Sequence, residues 1–175
     1  MKQSITDFLN KKFPGKVLSE YSHRDQFSLY VPADALCDIT RALKEEPALK
    51  FDFLIDICSV DHLGRPWESE GRYEIVYTLL SLEHTYRFML RVKIPDHTAA
   101  PETLCGIWHS ANWLEREVWD MMGIEFKNHP NLTKIVTDDE LEGHPLRKDF
   151  GLVYEHSQFS HNHDEVVVTP DNPFH

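Results

Sequence analysis

The chain has 175 residues, 41% of them hydrophobic and 11% aromatic, with 29 Asp and Glu against 18 Lys and Arg. A formal charge of -11 argues against a generic nucleic-acid binder, which carries a basic footprint. The length suits one principal domain with a buried core, with room for a further segment too small to fold alone.

The opening Met1-Lys2-Gln3-Ser4-Ile5-Thr6-Asp7-Phe8 has no apolar run behind it and reads as no secretory signal. No stretch approaches the roughly eighteen apolar residues of a membrane-spanning helix, so membrane association is expected only through a partner protein. Cys37, Cys58 and Cys105 are widely separated and form no C-x-x-C pair. An odd count is a poor disulfide framework, so buried free thiols are expected. Four thiolates for an iron–sulfur cluster are not present, and the spacing gives a zinc site no support.

Ile5, Phe8, Leu9 and Phe13 recur at helical spacing, which predicts an amphipathic helix over 3–13 that Pro14-Gly15 stops. Val17-Leu18 and the alternating Phe27-Ser28-Leu29-Tyr30-Val31 read as two strands around a polar turn at 22–26. Pro32 and Asp34 open a second helix with Leu36, Ile39, Thr40 and Leu43 on one face, limited by Pro47. The stretch 51–60 is ambiguous. Phe53, Leu54, Ile57 and Cys58 make a helical stripe, while Ile55-Asp56-Ile57 alternates as a strand does. Gly64, Pro66 and Gly71 mark 61–72 as an exposed loop.

A hairpin follows, from Tyr73–Leu80 through a polar turn at 81–85 to Tyr86–Ile94, closed by Pro95. A helix over 113–122 is predicted from the stripe Leu114, Val118, Met121 and Met122, with Gly123 as its stop. Asn112 and Glu115 have the spacing of a capping box, and Arg116 and Asp120 that of an i,i+4 ion pair. Beyond Gly123 the chain has few apolar residues, and after Lys148 it has no Lys or Arg. An extended tail is expected there, disordered or laid across another protein. The fold class is therefore α+β: a small sheet with an antiparallel hairpin packed by helices over 1–126, then an extended partner-binding segment over 127–175.

Glu115 and Glu117 flank Arg116, but residues two apart on a helix differ by about 200° and cannot form one acid/base pair. Cap and surface charges are the simpler reading. His109 and His129 stand on either side of this helix without H-E-x-x-H spacing, so turn-stabilising histidines are expected rather than zinc ligands. His156, His161 and His163 form a weak metal-binding tract that must lose chain entropy to coordinate. G-x-S-x-G, G-x-G-x-x-G and a phosphate loop are all missing. In Gly143-His144-Pro145-Leu146-Arg147-Lys148-Asp149-Phe150, the Arg147 fork between Leu146 and Phe150 resembles a docking peptide more than a catalytic site. A solvent-exposed charged turn is the alternative.

Glu115-Arg116-Glu117-Val118-Trp119-Asp120-Met121-Met122-Gly123-Ile124-Glu125-Phe126, then His129-Pro130 and Gly143 to Phe150, closely resemble the 30-kDa subunit family of respiratory complex I, the bacterial NADH:quinone oxidoreductase. Asp56 to Asp61, the hairpin and Ala111-Asn112-Trp113 are also similar to that family. The resemblance implies a non-catalytic peripheral-arm subunit that gives assembly and rigidity. In the family the carboxyl-terminal segment packs on the 49-kDa subunit, which is related to hydrogenase large subunits, near the quinone-reducing region and other iron–sulfur subunits.

The resemblance further implies no cofactor or metal on this chain. FMN and iron–sulfur clusters in partner subunits carry electrons from NADH to quinone, and the complex translocates protons. Carried over residue by residue, the partner-contact set is Glu115, Arg116, Glu117, Asp120, His129, Pro130, Gly143, His144, Pro145, Leu146, Arg147, Lys148, Asp149 and Phe150. The implied location is peripheral, on the cytoplasmic side of the bacterial inner membrane. Membrane-bound hydrogenases and quinone reductases without an NADH module use a similar subunit, which leaves the electron donor open.

Overall fold

A computed structural model describes residues 1–151. The elements run α1 (Lys2–Lys12), β1 (Ser19–His23), β2 (Gln26–Tyr30), a 3₁₀ turn (Ala33–Ala35), α2 (Leu36–Glu45), β3 (Phe53–Asp61), β4 (Tyr73–Ser81), β5 (Tyr86–Ile94) and α3 (Ala111–Met122). The strands form one sheet in the order β1-β2-β5-β4-β3. Only β2 and β5 pair in parallel; the other neighbours are antiparallel. This is the mixed α+β class expected from the sequence.

Alternation along β4 and β5 decides which face of the sheet carries the core. Ile75, Tyr77 and Leu79 stand opposite Val92, Leu90 and Phe88, and all six are buried in one cluster with Phe27 and Leu29 of β2. Ile5 and Leu9 of α1, Leu36, Ile39 and Leu43 of α2, and Val118 and Met122 of α3 close the same cluster. The three helices therefore cover one face of the sheet. Burial of side chains of this size, about 1.5–3 kcal/mol each, drives the assembly.

The ambiguous stretch is strand β3, and its ambiguity has a structural cause. The register with β4 shifts between Leu54 and Asp56, so one extra residue, Ile55, enters the strand as a bulge. Leu54 and Ile57 both reach the core, three apart, which imitates helical spacing.

Helix α3 begins at Ala111, not at 113, and Ser110 in the N-cap position makes no capping hydrogen bond. The expected capping box does not form, because Glu115 is fully buried and bonds elsewhere. Gly123 ends the helix in the left-handed region at φ 71°, with its N–H on the Trp119 carbonyl.

After Gly123, Ile124 and Phe126 still enter the core. The following chain, expected as an extended tail that is disordered or laid across another protein, runs back along α3 as far as Phe150 through bonds described below. The tail histidines His156, His161 and His163 lie outside the described residues. Among the described residues, no helix is long and apolar enough to cross a membrane.

Candidate functional site

Two buried carboxylates on α3 organise the region where the motifs meet. Glu115 and Asp120 are both almost completely inaccessible. Five residues apart on a helix is about 140°, so they serve different neighbours.

Glu115 accepts the Leu104 N–H at 2.7 Å on Oε1 and the Thr103 hydroxyl on Oε2. The Cys105 Sγ and His129 Nε2 each stand 3.8 Å from Oε2. Burial pushes this carboxyl up to about 7 against those bonds, because among the described residues no cation lies beside it to favour ionisation. The His129 ring, also buried, is held below its ordinary value by desolvation. Its Nδ1 accepts the Asn131 N–H at 3.1 Å, so Nε2 carries the ring proton and donates to the Asn112 carbonyl at 3.3 Å.

Cys105, Glu115 and His129 place their ligand-type atoms within 4.8 Å of one another, a geometry that could hold a metal ion. The donor chemistry opposes it. The Nε2 lone pair is occupied by a proton, the Cys105 thiol is pushed up by burial, and both carboxylate oxygens already accept hydrogen bonds. The cluster is a closed hydrogen-bond network joining α3 to 103–105 and 129–131.

Asp120 gathers the segment that follows. Its Oδ2 accepts three successive backbone N–H groups, from Ile135 at 3.0 Å, Val136 at 2.8 Å and Thr137 at 3.0 Å, while Oδ1 takes the Thr137 hydroxyl. Burial alone would raise this carboxyl. The Thr137 hydroxyl and the three N–H groups outweigh it and hold Asp120 at about 2. Arg116 works on the same segment, donating to the carbonyls of Thr133 at 3.0 Å and Lys134 at 3.1 Å while lying over the Trp113 ring. The expected Arg116–Asp120 ion pair does not form, because each side chain binds the backbone of 133–137 instead.

The Gly143–Phe150 motif closes the end of α3. A helix leaves its last four carbonyls without intrahelical donors, and here each finds one. His144 Nδ1 donates to Asp120 O at 2.8 Å, and the Leu146 N–H to Met121 O at 3.0 Å. Arg147 donates from Nε to Met122 O at 2.6 Å and from Nη2 to Gly123 O at 3.4 Å. Cationic and N–H donors at this end also suit the helix dipole.

The motif then crosses to the end of β3 and the loop after it. The Lys148 N–H reaches Asp61 Oδ2 at 3.0 Å, its ammonium reaches Leu63 O, and Arg72 bridges Asp61 and Asp149 at 3.0 and 2.8 Å. The Arg147 guanidinium, expected to offer its fork to a partner, is engaged by carbonyls of its own chain.

Of the expected contact residues, Glu115, Asp120 and the His129 side chain are buried, and Arg116, His144, Pro145, Arg147 and Phe150 are half-buried. Asp149 and Lys148 are exposed but bonded within the chain. Glu117, Pro130, Gly143 and the Leu146 side chain face outward. Sequence reasoning missed the outward apolar groups Trp113, Ile135 and Val136; the one signal for them was that Trp113 falls off the Leu114–Val118–Met122 stripe.

It also missed a buried carboxylate away from α3, Glu74. This side chain is held by Arg91, by His62 Nε2 at 3.0 Å and by the Tyr30 hydroxyl at 3.4 Å. Trp67 Nε1 donates to His62 Nδ1 at 2.7 Å and fixes that tautomer.

Residues 29–156 match the family described as respiratory-chain NADH dehydrogenase, 30 Kd subunit. The chain is 38% identical over 165 residues to the NADH-quinone oxidoreductase C subunit of Roseiflexus sp. (strain RS-1), an alignment spanning 94% of this chain and 92% of that one. It is 40% identical over 144 residues to the corresponding protein of Geobacter sulfurreducens (strain ATCC 51573 / DSM 12127 / PCA), spanning 82% and 86%. Among solved structures it is similar to the trypsin-resistant fragment (1-134) of Nqo5, with a TM-score of 0.63 and 29% identity over 75% of this chain and 100% of that one. It is also similar to a chain of the membrane-bound sulfane sulfur reductase, an archaeal respiratory membrane complex, with a TM-score of 0.69 and 29% identity over 86% of each.

Proposed function

Because the chain belongs to the 30-kDa subunit family of respiratory-chain NADH dehydrogenases, we propose that it serves as a non-catalytic structural subunit of a proton-translocating NADH:quinone oxidoreductase. In this reading it stands in the peripheral arm beside the 49-kDa subunit and neighbouring iron–sulfur subunits, on the cytoplasmic side of the membrane. FMN and iron–sulfur clusters reside in those partners, and none on this chain.

The observation that carries the reading is how the motif residues are used. Asp120, Arg116, His144 and Arg147 all bind backbone groups of their own chain. They fasten 133–150 against a helix end and leave the outer surface of that segment facing away. Such an arrangement does the work of a scaffold: it fixes a surface to within a narrow range of positions. It does not converge on a point where a bound substrate would react. The likeness to a chain of an archaeal sulfane sulfur reductase complex keeps a second reading, the equivalent subunit of a complex with another electron donor.

The test is gentle native purification of the tagged chain from its own cells. The subunit reading expects a fixed 1:1 ratio to a 49-kDa-type subunit, together with a flavin-bearing subunit that oxidises NADH. An intact complex lacking that flavin subunit selects the second reading. A chain that purifies alone and monomeric overturns both.

A further inference from the structure

Trp113, Arg116, Glu117 and Asp120 stand at i, i+3, i+4 and i+7 and share one face of α3. Residues 133–137 are tied along that face through Arg116 and Asp120, which brings Ile135 and Val136 into the same surface as Trp113. Trp113 is 61% exposed and Val136 59%, with Ile135 also outward. Single exposed apolar side chains are ordinary on any protein, but three on one contiguous surface mark an interaction site.

The charge around them is one-sided. Glu117, Asp138, Asp139, Glu140 and Glu142 are all exposed, and among the described residues none of the five has a cation within ion-pair distance. The two cations on this face do not neutralise them. Arg116 binds the carbonyls of Thr133 and Lys134, and the Lys134 ammonium binds those of Asp138, Asp139 and Leu141.

We infer that the Trp113–Ile135–Val136 surface is a docking site for a protein partner presenting an apolar anchor ringed by Lys and Arg. This rests on the subunit reading above and adds which surface meets the neighbour and what chemistry that neighbour brings. Trp113 suits the centre of such a contact, because a rigid aromatic backed by a stacked guanidinium loses little freedom on binding. The surrounding carboxylates steer association and its salt dependence, and reversing them sets like charges against the partner's Lys and Arg, at a cost in affinity.

The test uses the assembled complex and the free full-length chain, each treated with a carbodiimide and glycine ethyl ester, with labelled carboxylates mapped by mass spectrometry. Glu117, Asp138, Asp139, Glu140 and Glu142 are expected to label about tenfold less in the complex, as carboxylates paired with the partner's Lys and Arg. In parallel, Asp138→Lys/Asp139→Lys/Glu140→Lys is expected to lower partner retention about tenfold while the circular dichroism spectrum stays native. Raising salt to about 0.3 M is expected to weaken retention of the wild type in the same direction. A wild type that assembles while its five carboxylates label as in the free chain, or a triple variant that retains partners fully, overturns the docking surface alone. A wild type that assembles with nothing overturns the subunit reading and the surface with it.

Discussion

Gly123 and Arg147 are built against one another: a Cβ added at Gly123 would lie 2.1 Å from Arg147 Nη2 and 2.5 Å from the His144 ring. The backbone there is left-handed, at φ 71°, a conformation that costs any other residue about 1 kcal/mol. Gly123→Ala therefore meets two penalties, backbone strain and displacement of the His144–Arg147 clasp. A loss of about 2–4 kcal/mol is expected, read from the urea midpoint of the full chain. A loss below about 0.5 kcal/mol would mean that the clasp does not sit on the helix end.

Arg147→Ala removes the donors to Met122 O and Gly123 O. Leaving half-buried carbonyls without a charged donor costs about 1.5–3 kcal/mol. Arg147→Lys keeps the charge at the helix terminus, but an ammonium lacks the planar fork, so about half the loss should return. Both are measured by unfolding the chain free of partners. Unchanged stability of the alanine variant, with assembly lost, would move Arg147 to an interface.

Asp120 predicts an acid transition of known sign. Its folded value of about 2 lies below the ordinary 3.8. The stabilisation is present above the unfolded value and is lost as pH falls from about 4 through 2, amounting to about 2 kcal/mol. Asp120→Asn keeps the shape but cannot carry the charge that draws in three N–H groups. At neutral pH it should be less stable by about 2 kcal/mol, with a correspondingly shallower loss between pH 4 and 2. Parallel pH profiles for variant and wild type would refute the role given to the carboxylate.

How far the sequence could be read depends on how local each determinant is. The β4–β5 hairpin was legible because Tyr73–Leu80 and Tyr86–Ile94 are rich in strand formers on either side of a polar turn, and their pairing runs without a register shift. Strand β3 was not, because the bulge at Ile55 breaks the period that separates strand from helix. In α3 the apolar stripe was legible and the charges were misread. Glu115 has the spacing of a cap to its own helix, yet its donors come from Thr103 and Leu104, and spacing alone does not distinguish the two.

The His144–Arg147 clasp was not legible for a related reason. Arg147 finds its acceptors 24 and 25 residues earlier, so nothing near it in the chain tells an internal fork from an outward one. The family resemblance was legible from the α3 and Gly143–Phe150 motifs, since their order and separation do not depend on knowing which way each side chain points.

Glu115 predicts a pH dependence opposite in sign to that of Asp120. Its folded value of about 7 lies above the ordinary 4.5 because burial penalises the charge. The neighbours facing it do not relieve that penalty. Desolvation holds His129 down and Cys105 up, so both stay neutral, and among the described residues the buried Tyr77 hydroxyl has no hydrogen-bond partner. The protonated carboxyl is the form the site favours, so its contribution is complete below about pH 4.5 and is lost as pH rises through 7, about 3 kcal/mol in all. Glu115→Gln keeps an acceptor for the Leu104 N–H and supplies a permanent donor toward Thr103. That variant should show a flatter profile between pH 5 and 8 and exceed the wild type in stability above about pH 7.5. Urea midpoints across that range decide it: if the two proteins lose stability in step as pH rises, Glu115 is ionised throughout and the buried network carries a full charge.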